Sequence, residues 1–77
     1  MLFLIEYDRS EGQIVTFKTF LNEDRQMADD EVLETELRLN RLGVKREVVI
    51  LEAPTELALR RTHRRYFETL EQLATLP

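Results

Sequence analysis

The run Arg60-Arg61-Thr62-His63-Arg64-Arg65 gathers more chemically capable side chains than any other stretch of the chain. Guanidinium forks match phosphate and carboxylate bidentately, so Arg60, Arg61, Arg64 and Arg65 on one helix face are a candidate anion-binding patch. His63 lies at the edge of that helix's apolar face. As a general base it would need a carboxylate to orient it, and Glu6, Asp8 and Glu52, at strand ends, are the available partners. Asp8 and Arg9, at the tip of a hairpin, form a possible polar site with His63 as a third member.

Each candidate has an ordinary structural reading beside it. Glu56 stands four residues before Arg60 and Glu68 four after Arg64, so part of the basic face is answered along its own helix. A lone His beside Tyr66 and Phe67 is most simply a packed side chain. Asp8 suits a turn as an acceptor for loop amides, with Arg9 in solvent. The spacing GxxxxGK[ST] is absent, as are GxGxxG, GxSxG and HExxH. No catalytic set, cofactor or metal site is therefore assigned. A chain without cysteine and with a single His offers neither thiolate ligands nor a His-based zinc centre.

The elements that position these residues begin with Leu2–Tyr7, LFLIEY, which reads as the central strand of a small sheet. Residues 8–13 form a turn, and Ile14–Phe20 alternates as a second, antiparallel strand. A three-residue turn, Ser10-Glu11-Gly12 with Gly12 left-handed, groups Phe3, Ile5 and Tyr7 with Val15, Phe17 and Thr19 on one face. Asn22–Leu42 reads as a helix stopped by Gly43. Its main stripe is Ala28, Val32, Thr35, Leu39 and Leu42, and Leu33 and Leu37 form a second pair on nearly the opposite side. Val44–Ala53 reads as a third strand ended by Pro54, and Thr55–Leu76 as a second helix, with Thr55 as its N-cap or Pro54 at its first position.

The expectation is one α+β domain over residues 1–77, in the order β-β-α-β-α. It has a three-stranded, mainly antiparallel sheet in the order 2-1-3 and both helices on the Phe3/Ile5/Tyr7 face. That arrangement leaves Leu2, Leu4, Ile14 and Phe20 on an open sheet face and Leu33 and Leu37 on the first helix. A patch of that size predicts self-association, as a homodimer. Size points the same way, because a 77-residue chain has a small core and no disulfide to reinforce it.

Charge bounds the partners. The net charge of −4 disfavours nucleic acid. Residues 22–42 hold seven acids and three bases, and residues 54–77 three acids and four bases, so one helix is acidic and the other basic. The two could pair within one chain or across a dimer. MLFLI lacks the basic flank and cleavage site of a signal peptide, no segment suits a membrane, and the lack of cysteine fits the cytoplasm. The leading expectation is a non-enzymatic domain that associates with itself and with an unidentified protein. The alternatives are anion or nucleic-acid binding by the arginine face, and a small enzyme using His63.

Overall fold

A computed structural model describes residues 1–68. Three strands, β1 (Leu2–Asp8), β2 (Gln13–Phe20) and β3 (Glu47–Glu52), form one sheet in the order β2-β1-β3. Strand β1 runs antiparallel to both neighbours. The helices are α1 (Arg25–Leu42), entered through a 3-10 turn at Asn22–Asp24, then α2 (Glu56–Thr62) and α3 (Arg64–Phe67). The expected class, element order and strand order are those observed.

The two helical segments do not share a face, contrary to expectation. Successive residues of a strand point to opposite sides. Glu6 meets Arg38 of α1, whereas the Tyr7 ring meets Tyr66 of α3 edge-on at 5.1 Å. Lys18 likewise pairs with Glu31 of α1, whereas Phe17 packs on Phe67. So α1 covers the Leu2/Leu4/Glu6 side, and α2 with α3 covers the Phe3/Ile5/Tyr7 side. The cause is the composition of β1, which is apolar on both sides, as strands covered on two faces are. Leu2, Phe3, Leu4 and Ile5 are all buried. Strand β3 serves both layers: Val49 and Leu51 stand with Ile5 and Phe3, and Val48 and Ile50 with Glu6 and Leu4.

Three local departures follow. The outer part of the hairpin has the expected register, with Phe3 opposite Thr19 and Ile5 opposite Phe17. A bulge then shifts the pairing, so Ile14 faces Tyr7 and packs on the core while Val15 is left exposed. Gly12 is left-handed as expected, at φ 67°. Second, the expected helix over 55–76 breaks at His63. Thr62 Oγ1 donates back to the Ala58 carbonyl at 3.0 Å, a contact that bends helices, and the break turns Tyr66 and Phe67 onto β1 and β2. The remainder of that expected helix lies outside the described residues. Third, β3 starts at Glu47 rather than Val44, and Leu42 is exposed rather than part of the core stripe.

The caps behave as their residue types dictate. Gly43 ends α1 in the left-handed conformation, with its amide donating to the Asn40 carbonyl at 3.2 Å. Thr55 Oγ1 accepts from the Ala58 amide at 3.1 Å and starts α2.

Candidate functional site

The polar chemistry of the molecule collects at the hairpin end of the sheet, on both sides of the β1–β3 pair. On the α1 side, Glu6 projects from the middle strand and is only 1% exposed. A carboxylate there must be fully bonded to be tolerated. Arg46, just before β3, donates to Oε2 at 2.7 Å, Thr16 of β2 donates to Oε1 at 2.9 Å, and Arg38 of α1 reaches Oε1 at 3.4 Å. Three segments are thereby tied to one side chain. Arg46 Nε is buried with no partner among the described residues.

On the α3 side, Glu47 opens β3 and gathers Arg9 at 3.2 Å, Arg65 at 2.6 Å and the Tyr66 hydroxyl. The hydroxyl donates to Glu47 Oε2, and this hydrogen bond, with Arg65 and Arg9, holds the Glu47 carboxyl below its usual range. Burial, then the Glu47 contact, pushes the Tyr66 phenol up to about 12. The Arg65 guanidinium lies 4.2 Å from the Tyr66 ring centroid, a cation–π contact. Arg9, Ser10, Lys45, Arg46 and Glu47 line an open cleft of about 480 Å³. Its cations are largely committed: Arg9 to Glu47 and Arg46 to Glu6.

The arginine face is distributed rather than convergent. Arg60 pairs with Glu56 at 3.1 Å and lies over the Phe67 ring, Arg64 pairs with Glu68 at 3.0 Å, and Arg65 turns to Glu47. Arg61 makes no ion pair among the described residues. Among the described residues no ion pair joins the acidic α1 to the basic α2 and α3, because the sheet separates them.

His63 joins α2 to α3, with Nδ1 2.9 Å from Thr62 Oγ1. Among the described residues, none of the proposed orienting carboxylates reaches it. Glu6 is held by Arg46, Thr16 and Arg38 on the other side of the sheet, and Glu52 lies exposed at the far end of β3. Asp8 accepts from the Ser10 amide at 2.9 Å, the Ser10 hydroxyl at 2.7 Å and the Glu11 amide at 3.1 Å. These bonds, the Ser10 hydroxyl first, lower its pKa and make it a turn-forming residue. The sequence did not single out Arg46, Glu47 or Thr16. The one available signal was Glu6 itself, a charge inside the most apolar run of the chain.

Of the residues expected to meet a second copy, Leu2 and Leu4 are corrected: α1 seals them inside the chain. Ile14 packs into the α3-side core and Phe20 is half-buried. Leu33 and Leu37 are 57% and 53% exposed, one turn apart on α1. Among the described residues no group of His, Asp and Glu is arranged to hold a metal ion, and no helix is long and apolar enough to cross a membrane. No family model, curated protein or solved structure matches the chain.

Proposed function

We propose that this chain is a non-enzymatic association domain whose first partner is a second copy of itself. The observation that supports this most directly is the exposed Leu33/Leu37 pair. Both faces of the sheet are covered by the chain's own helices, yet α1 still carries two leucines on its outer side. Exposed leucines one turn apart make a seam for another helix. Charge fits a like partner. In an antiparallel α1–α1 pair centred on residue 35, Leu33 meets Leu37 of the second copy, and Arg41 comes opposite Asp29. The absence of cysteine suits a reducing compartment such as the cytoplasm. A further protein partner would be captured by the assembled pair.

The test is Leu33→Ser/Leu37→Ser, with mass followed by light scattering across protein concentration. Bringing half-exposed leucines out of water contributes about 1 kcal/mol each, and two copies bring four. The double variant therefore weakens association by roughly a thousandfold while leaving the fold of each chain intact. Equal masses for both proteins at every concentration would refute the seam.

A further inference from the structure

We propose that two copies join edge to edge through β3, making one six-stranded sheet in the order 2-1-3-3-1-2 with the two α1 helices side by side above the junction. This rests on the self-association reading and specifies its geometry. Among the described residues β3 pairs only with β1, so its outer edge is unpaired. Its sequence, Glu47-Val48-Val49-Ile50-Leu51-Glu52, carries none of the devices that blunt an edge: no Pro, no bulge and no internal charge. The other edge, β2, is blunted by the Val15 bulge and by Lys18 at its centre. Val48, Val49, Ile50 and Leu51 all remain partly exposed although helices cover both faces of the sheet.

The backbone fixes which residues can pair. Ala53 and Met1 exchange both hydrogen bonds, amide to carbonyl at 3.1 Å and terminal ammonium to carbonyl at 3.0 Å. In an antiparallel ladder such pairs alternate with pairs whose N–H and C=O point away. Leu51, Val49 and Glu47 therefore bond inward to β1, and Glu52, Ile50, Val48 and Arg46 present their backbone groups outward. A two-fold partner can bond only through that outward set. Placing Val48 opposite Ile50 of the second copy pairs Arg46 with Glu52 at both ends. The exposed Glu52 carboxylate then stands opposite Arg46, whose side chain bonds Glu6 and keeps partial exposure. Sliding by one step of the ladder puts Glu52 opposite Val48 or Val44 instead and loses both charge pairs.

The helices fit the same axis. In this register the two-fold passes through Val49, which pairs with Ile5. Glu31 bonds Lys18, opposite Leu4, and Arg38 reaches Glu6, so residues 34 and 35 of α1 stand over Ile5. Leu33 and Leu37 are centred on that level. Glu36 and Asn40 of α1 border Val44, Lys45 and Arg46, on the flank toward β3, and Leu33 and Leu37 lie about 60° farther round the helix, on its upper side away from the sheet. Helix α1 packs over β1 and β3, one strand spacing of about 4.8 Å from the junction. The two α1 axes come about 10 Å apart, which is helix-packing distance.

The native chain has no cysteine, so single cysteines report proximity cleanly. Val49 would face its own symmetry mate in a non-bonded pair, about 4.5 Å between Cα atoms, within disulfide reach. Under mild oxidation Val49→Cys is expected to give a covalent dimer, and Thr19→Cys on β2 to remain monomeric on denaturing gels. Glu52→Lys, at an exposed side chain outside the core, is expected to weaken association about tenfold, independently of how the cysteine variant folds. A dimer that neither crosslinks at residue 49 nor responds to Glu52→Lys would overturn pairing through β3 and leave self-association standing. Crosslinking at residue 19 instead would move the interface to β2. A native chain that stays monomeric at high micromolar concentration would overturn both.

Discussion

Replacing Glu6 by Gln removes a negative charge from the middle of the sheet and barely changes the side chain's shape. The native carboxylate is 1% exposed and accepts from Arg46 at 2.7 Å and Thr16 at 2.9 Å. The third donor, Arg38, is 3.4 Å away and its side chain is half exposed. Breaking a buried ion pair from one side costs about 3–5 kcal/mol when the remaining charge is sealed in. Arg46 retains some access to water, and the Gln carbonyl still accepts one bond, so the expected loss is about 2 kcal/mol. A domain of this length has roughly 4–12 kcal/mol of stability, so the variant folds but is clearly weaker. With a urea slope near 1 kcal/mol/M, the midpoint drops by about 2 M. Urea unfolding followed by circular dichroism, at fixed protein concentration, reads this directly. Arg46→Met is expected to couple strongly to Glu6→Gln in a double-mutant cycle, and Arg38→Ala to couple by less than about 1 kcal/mol, as exposed pairs do. A midpoint shift below about 0.5 M, or a larger coupling to Arg38 than to Arg46, would refute the assignment of Arg46 as the principal partner.

Further predictions concern the opposite side of the sheet and the caps. Glu47 is lowered from its ordinary value of 4.5, so its contribution is present above that pH and is lost as pH falls through the lowered value. Tyr66 is raised from 10.0 to about 12, so its contribution is intact below pH 10 and is lost as pH rises toward 12. Urea midpoints against pH should fall at both ends, and Tyr66→Phe should flatten the alkaline fall; an unchanged alkaline limb would remove Tyr66 as its cause. Gly43→Ala meets no atom within 4 Å but must hold φ near 68°, so strain alone should cost about 1 kcal/mol in the same assay. Thr55→Ala should cost about 1 kcal/mol through loss of the bond to the Ala58 amide, and a neutral result would mean that the cap does not anchor α2.

The left-handed Gly12, the helix stop at Gly43 and Thr55 as one of two possible helix starts were legible because each depends on a short stretch of residues, and the strand order because β1 is the most apolar strand and so belongs in the middle. The bulge at Val15 was not, because it answers the demand of the α3 layer for Ile14, a contact distant in sequence. The face chosen by α1 was present in LFLI and was misread. Four consecutive buried apolar residues can be satisfied only by cover on both sides, so the second layer belonged on Leu2 and Leu4. The break at His63 depends on Thr62 turning back to its own helix, which periodicity over Leu59, Tyr66 and Phe67 conceals. The Glu6 cluster joins residues 6, 16, 38 and 46. Thr16, Arg38 and Arg46 each read alone as surface residues, and only the folded sheet brings them to Glu6.

Amide hydrogen exchange along β3 tests directly whether a second copy completes the sheet. The amides of Val49 and Leu51 point inward to β1 and should be protected at any concentration, which makes them an internal reference. The amides of Val48 and Ile50 point to the open edge. They should exchange freely in dilute protein and become protected as concentration rises, with Leu33→Ser/Leu37→Ser delaying the change to higher concentration. Free exchange at Val48 and Ile50 at every concentration would contradict pairing through this edge.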